Sequence, residues 1–290
     1  MFKDIGNINS FLKYKTRSVK NSPPSIDDIK NANKILFAIF TRYGDTIIDL
    51  VVIKEFIECY PQKKYLILCP RQMKPYVREL LPNIECIAFN KRNLFEMLRV
   101  DKLLKKRKFD IGFNPWSNGL DSCYFISYCD KFLFYKDFDK PGVINHYQVV
   151  RQYLKLPEKD WMINELILKK SYKKILICPQ STDHKRNLPS QQLDRLIVNF
   201  QRMYNHPEII IASSESSDFR DGCKKFIFEK SAHSSNQFLE LMKKSALIVS
   251  SDSGPLHIAL ALKKDLLVFM STTEPEIVVN SGSCLQINKF

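Results

Sequence analysis

No stretch of this chain comes near 18 consecutive uncharged apolar residues, so no transmembrane helix is expected. The opening Met1-Phe2-Lys3-Asp4-Ile5-Gly6 lacks the apolar core of a secretory signal, and the expectation is a cytoplasmic protein. Glycine is scarce, at 8 of 290 residues, while 44% of the residues are hydrophobic, which excludes a disordered or low-complexity chain. No repeat of solenoid period is present. The eight cysteines form no C-x-x-C pair, so a zinc site has no support. Several stand inside apolar runs such as Leu66-Ile67-Leu68-Cys69 and Ile175-Leu176-Ile177-Cys178, where buried free thiols are expected. Acidic residues are in deficit, 31 against 45 Lys and Arg, and the net charge of +14 calls for an acidic partner: nucleic acid, an anionic membrane or a phosphorylated substrate. No nucleic-acid module and no basic stripe interleaved with aromatics accompanies that charge, so nucleic acid is not the expected partner. The densest cluster, Lys102-Leu103-Leu104-Lys105-Lys106-Arg107-Lys108, fits either an anionic membrane surface or a solvated helix end.

What is present alternates. Residues 1–33 are polar and basic, broken by Ser22-Pro23-Pro24-Ser25, and are expected to form an N-terminal appendage. From Lys34 onward short apolar runs alternate with helical patterns. Strands are expected at Ile35–Phe40, Tyr65–Cys69, Glu85–Phe89, Phe109–Asn114 and Lys131–Tyr135, with a loop at Thr41–Thr46 and an amphipathic helix at Ile47–Cys59. The alternation restarts after a helical stretch near His146–Leu156, with strands at Lys174–Cys178, Glu208–Ala212, Lys225–Phe228, Ala246–Val249 and Leu266–Met270. Strand–helix alternation implies parallel sheets wrapped on both faces. The fold class expected is therefore α/β with two Rossmann-like domains, residues 34–160 and 161–290, joined by a linker near Pro157–Lys170. Little chain follows the last expected strand.

Two loops carry the chemistry. Near the end, Ser251-Asp252-Ser253-Gly254-Pro255-Leu256-His257 interrupts an apolar strand and opens a small-residue helix, Ile258–Leu262. Unpaired N–H groups at such a helix start attract phosphate. Asp252 and Ser253 are placed to cap the helix, Gly254 permits close backbone approach, and His257 falls one turn inside, facing the same mouth. A second strand follows and ends in Ser271-Thr272-Thr273-Glu274-Pro275, bringing another polar loop to the same edge. In the first half, Gly44-Asp45 follows the first strand and precedes its helix, where a carboxylate serves either as a cap or as a general base.

Asp-Ser-Gly-Pro-Leu-His followed by Ile-Ala-Leu-Ala-Leu, a short strand and Ser-Thr-Thr-Glu-Pro resembles the donor-site signature of glycosyltransferase family 9, the ADP-heptose:lipopolysaccharide heptosyltransferases. Arg-Tyr-Gly-Asp-Thr-Ile-Ile-Asp-Leu resembles that family's N-terminal Gly-Asp loop. The resemblance implies a GT-B fold, two Rossmann-like domains facing across a cleft, and makes Asp45 the base that activates the acceptor hydroxyl, with Gly44 supporting its loop. It places a nucleotide-sugar donor, ADP-heptose, at Asp252, Ser253, Gly254 and His257. Pro179-Gln180-Ser181-Thr182-Asp183-His184-Lys185-Arg186-Asn187-Leu188-Pro189 resembles the family's loop of small polar residues followed by Lys-Arg-Trp-Pro, and brings Ser181 and Lys185 to the donor diphosphate. Gln180 replaces the usual glycine, and Asn187-Leu188 stands where a tryptophan is expected. The alternative is that Lys185 and Arg186 are solvated loop charges. Ser213-Ser214-Glu215-Ser216-Ser217-Asp218 matches the loop whose acid holds the nucleotide ribose, with either Glu215 or Asp218 in that role. His146 begins a segment similar to one that precedes the interdomain region in family members, or caps a helix. Asn114, Trp116 and Asn118 lie beyond the fourth strand on the acceptor side.

The resemblance further implies an inverting displacement with no resident cofactor; backbone N–H groups and basic side chains are expected to handle the phosphate charge, so no metal is expected. Its acceptor is an inner-core lipopolysaccharide intermediate, reached from the cytoplasm at the inner face of the inner membrane of a Gram-negative bacterium. Transfer of another sugar, or a non-catalytic basic relative that binds membrane or nucleic acid, are the competing readings.

Overall fold

In the computed structural model every pairing between described strands is parallel. The structure describes residues 23–115, 124–134, 145–157, 159, 163–165, 168–278 and 283–289. The chain divides into two units, one of Met1–Val143 with Gln148–Glu158 and one of Ile144–Tyr147 with Lys159–Phe290.

The N-terminal unit opens with helix α1 (Ile26–Asn31), whose Ser25 and Asp28 form a reciprocal capping box. Residues before Lys34 were expected to be an appendage, but Ile29 and Ala32 are buried, and the Lys63 ammonium donates to the carbonyls of Lys30 and Ala32. Residues 23–33 therefore join the unit, while 1–22 lie outside the described residues. There follow β1 (Lys34–Ala38), α2 (Tyr43–Cys59), β2 (Lys64–Pro70), α3 (Lys74–Leu80), β3 (Glu85–Phe89), α4 (Leu94–Lys106), β4 (Phe109–Asn114) and β5 (Cys129–Phe134), then α5 (His146–Tyr153), whose His146 and Tyr147 count with the C-terminal unit. The sheet order is β3-β2-β1-β4-β5, so the winding reverses between β1 and β4.

Alternation along β1 assigns its two faces. Phe37 packs on one side against Phe56 of α2 and Phe113 of β4, with ring centroids 5.8 and 5.5 Å away. On the other side Leu36 and Ala38 share a core with Met97, Val100 and Leu104 of α4. Each of the buried leucine, methionine, valine and phenylalanine side chains contributes about 2 kcal/mol of apolar transfer. The expected amphipathic helix is longer and more enclosed than its pattern suggested. Five consecutive residues, Thr46 to Leu50, are buried, and Tyr43 in the first turn of α2 meets Tyr76 of α3 edge to face. Gly112 is required by packing: a Cβ there would stand 2.6 Å from both the Cys129 sulfur and an Ile126 methyl.

The C-terminal unit contains β6 (Ile163–Glu165), β7 (Lys174–Cys178), α6 (Ser190–Met203), β8 (Glu208–Ser213), β9 (Lys224–Ile227), α7 (Ala232–Lys244), β10 (Leu247–Ser251), α8 (Gly254–Ala261), β11 (Asp265–Met270), α9 (Pro275–Val278) and β12 (Ser283–Lys289). Its sheet order is β6-β12-β11-β10-β7-β8-β9, with the reversal between β7 and β10. Ile175, Ile177, Ile209, Ile211, Leu247 and Val249 form its core with Leu193, Ile197 and Phe200 of α6. Seven strands stand where five were expected. The last, β12, extends the sheet beyond β11, and β6 comes from the segment expected to be linker. Three residues, Ile-Asn-Glu, carry no apolar run, so only their partner makes them a strand.

Candidate functional site

In each sheet the strands that flank the reversal release their loops at the carboxyl edge, where open α/β sheets receive ligands. In the N-terminal unit these are the segments after β1 and β4. Thr41 and Thr46 hydroxyls lie 2.9 Å apart, and Thr46 also donates to the Arg42 carbonyl at 3.0 Å, which locks the turn out of β1. Gly44 and Asp45, expected in a loop, occupy the first turn of α2, whose cap position, Arg42, provides no side-chain cap. A carboxylate there meets the positive end of the helix dipole. Asp45 is partly exposed.

One turn on, Asp49 is fully buried and neither of its carboxyl oxygens has a hydrogen-bond partner. Burial, with a lesser contribution from the charge of Asp45, pushes its pKa well above the usual carboxylate range. Of the pair, Asp45 is the carboxyl that reaches the edge. Asn114 ends β4 beside the reversal. It is buried, and its backbone N–H donates to the Tyr153 hydroxyl at 2.9 Å, which in turn donates to the Leu133 carbonyl. Trp116 and Asn118 lie outside the described residues.

In the C-terminal unit four loops are bonded to one another at the same edge. Arg186, on the loop after β7, pairs with the buried Asp252 after β10 at 3.1 Å. The Gln180 side chain accepts from both the backbone N–H and the hydroxyl of Ser214 after β8, each at 2.9 Å. Ser271, after β11, donates to the Lys185 carbonyl at 3.0 Å. Asn187 accepts the Ser181 N–H at 2.7 Å and closes the β7 loop on itself. Gln180 and Asn187, two of the residues that depart from the family pattern, thus join Arg186 in holding this loop in place through their side chains.

Several expectations change. Ser253 stands at the cap of α8 but does not cap it: its hydroxyl turns back to the Ser251 carbonyl at 3.3 Å. Asp252 does not cap it either, because the guanidinium of Arg186 draws its carboxylate away. The start of α8, from Gly254, consequently lacks a side-chain cap, the condition in which a helix start receives an anion. His257 is buried rather than open to the edge, with its Nδ1 3.4 Å from the Tyr147 hydroxyl. Burial lowers its pKa to about 4, against the smaller opposing pull of Asp252, so the ring is neutral near pH 7. Lys185 is exposed beside this edge. Of the two candidate ribose acids, Asp218 accepts the Ser213 hydroxyl at 2.5 Å, whereas Glu215 is exposed. His146 heads α5, next to Asn145, whose amide donates to the Glu276 carbonyl at 2.6 Å.

Arg186 and Tyr147 were not among the expected site residues. A buried aspartate such as Asp252 requires a cation, and the basic residue beside Lys185 was the available signal. Nothing in the local sequence marked Tyr147. Among the described residues no three His, Cys, Asp or Glu side chains gather as a metal would require. One Asp-x-Asp triplet, Asp137-Phe138-Asp139, stands against the metal-free expectation and lies outside the described residues.

The family model described as glycosyltransferase family 9 (heptosyltransferase) matches residues 133–279, just over half of the chain. No curated protein matches it significantly. Among solved structures it is similar to a family 9 glycosyl transferase from Veillonella parvula, with a TM-score of 0.66 at 13% identity over 89% of this chain and 86% of that one. It is also similar to the E. coli heptosyltransferase WaaC with ADP, with a TM-score of 0.63 at 10% identity over 88% and 93%. E. coli ADP-heptose lps heptosyltransferase II gives 0.63 at 14% identity over 89% and 90%. At these identities the structures establish a shared fold.

Proposed function

The chain belongs to glycosyltransferase family 9, and on that premise we propose that it is an inverting transferase that moves a heptose from ADP-heptose to an inner-core lipopolysaccharide acceptor. The observation that carries the donor side is the Arg186–Asp252 pair, which ties the β7 loop to the uncapped start of α8. A diphosphate at that helix start meets backbone N–H groups and the Lys185 ammonium, with Ser181, Ser253 and Gly254 lining the approach. Glu215 or Asp218, at the next strand end, holds the ribose in this reading. His257 acts here as a neutral, buried group behind the helix start.

On the acceptor side Asp45 takes the proton of the attacking hydroxyl as that oxygen bonds to the anomeric carbon. The bond from that carbon to the ADP oxygen breaks on the opposite face, the electron pair leaves with ADP, and the configuration inverts. Positive charge and helix N–H groups stabilise the departing diphosphate. The acceptor's lipid anchor implies work at the cytoplasmic face of an anionic inner membrane, and the +14 charge suits that surface.

Incubating the protein with ADP-heptose and heptose-deficient lipopolysaccharide should add the mass of one heptose to the acceptor. Donor binding without that gain would retain the donor site and reject the acceptor. Absence of both, together with binding of another nucleotide sugar, would replace the heptose. Salt-dependent DNA binding with no sugar-nucleotide affinity would overturn the enzymatic reading.

A further inference from the structure

The first turns of α4 leave three large apolar side chains in solvent: Phe95 at 84% exposure, Leu98 at 53% and Leu94 at 41%. A globular protein rarely spends a phenylalanine this way without a partner for it. Arg99, Lys102 and Lys106 continue the face of Phe95 and Leu98 at helical three- and four-residue steps, and all three are exposed. The acids of the same helix are turned away from this face. Glu96 is engaged by Arg71 at 2.9 Å, and the buried Asp101 is held by Lys105 and the hydroxyls of Tyr124 and Tyr128. The opposite side of α4 is spent in the core, through Met97, Val100 and Leu104. What remains is one stripe, apolar at its N-terminal end and cationic beyond.

Its position gives it meaning. Helix α4 leaves β3 at the sheet's carboxyl edge, the edge at which α2 leaves β1 with Asp45 in its first turn. The two strand ends are joined by Phe40 against Phe89, with centroids 5.1 Å apart. We infer that this stripe is the docking surface for an anionic lipid bilayer, with Phe95, Leu94 and Leu98 entering the headgroup boundary and Arg99, Lys102 and Lys106 resting on lipid phosphates. The surface chemistry selects the partner: exposed aromatic and aliphatic groups flanked by unopposed cations match an interfacial membrane better than a protein face of unspecified charge. Docked this way, the unit presents the Asp45 edge to whatever sugar the membrane carries. The inference rests on the reading that the acceptor is lipid-linked.

The test is co-sedimentation of the full chain with vesicles of phosphatidylcholine alone or enriched in phosphatidylglycerol. Binding only to the anionic vesicles, weakened by salt, is expected. Phe95→Ser with Leu98→Ser should lower that binding about tenfold or more, and Arg99→Glu with Lys102→Glu by at least as much, since each cation near an anionic surface contributes about fivefold. All four positions are exposed, so thermal melting should stay as in the parent chain. ADP-heptose affinity, read by calorimetry, should be unchanged in both variants, which separates this surface from the donor site. Undiminished vesicle binding in both variants overturns the inference. So does a concentration-dependent dimer that the Phe95→Ser, Leu98→Ser chain loses, because the stripe would then bind a second copy.

Discussion

The two sheets share one winding and put opposite chemistry at their reversal points. Beside β1 the N-terminal unit places carboxyls in a helix, Asp45 at the edge and Asp49 behind it. Beside β7 and β10 the C-terminal unit places cations and an uncapped helix start, cross-tied by Arg186, Gln180, Ser271 and Asn187. One edge is suited to accept a proton and the other to hold an anion. On the function proposed above, the same topology would serve two halves of a group transfer, with the division of labour in a few strand-end residues rather than in the architecture.

The sharpest way to break that division is Asp45→Ala. Turnover should fall by about a thousandfold, within the range usual for a lost general base, while ADP-heptose binding measured by calorimetry hardly changes. Retained turnover with lost donor binding would reverse the assignment of the two edges. Next in size is Arg186→Ala, which removes a charge beside the helix start and strands the buried Asp252. Donor affinity should drop about tenfold or more, and the melting temperature should fall as well. Adding Asp252→Asn should restore the melting temperature without restoring the affinity; recovery of both would make the pair purely structural.

The smallest effects are in pH dependence, and their signs oppose one another. The raised pKa of Asp49 means that its stabilising contribution is present below the ordinary carboxylate pKa and is lost as pH rises toward its folded-state value, so Asp49→Asn should gain stability over the parent progressively above pH 4. His257 is depressed from 6.5 to about 4, so the parent keeps full stability above 6.5 and loses up to about 3 kcal/mol between 6.5 and 4. His257→Gln should therefore gain on the parent as pH falls. Denaturant titrations of the two variants across pH 4 to 8 that slope the same way would contradict the burial assigned to one of them.

Much of this was legible in the sequence. Strands such as Lys34–Ala38 and Lys174–Cys178 are buried on both faces, so their apolar runs are nearly continuous and announce themselves. Asp252 and Gly254 were singled out because a strand, a turn and a helix start follow one another within a few residues, whereas the burial of His257, expected to face the mouth, was not legible there. Asp45 was expected in a loop and stands in a helix: Gly44 reads as a loop former, but in the first turn of a helix the penalty for glycine is small and the tertiary packing of α2 overrides it. The Arg186–Asp252 pair could not be read locally, since its members are 66 residues apart and meet only because β7 and β10 are neighbours. The same holds for β6, whose three residues become a strand only beside β12.

That pairing has a consequence for the order in which the protein is made. Within the C-terminal sheet β12 lies between β11 and β6, so the first strand of the unit to leave the ribosome borders the last. At the usual rate of synthesis β6 waits roughly ten seconds for its neighbour, and for about the last second of that interval the newly made β11 presents an open sheet edge. Chaperone capture of ribosome-bound chains should consequently persist until residues 283–289 have emerged.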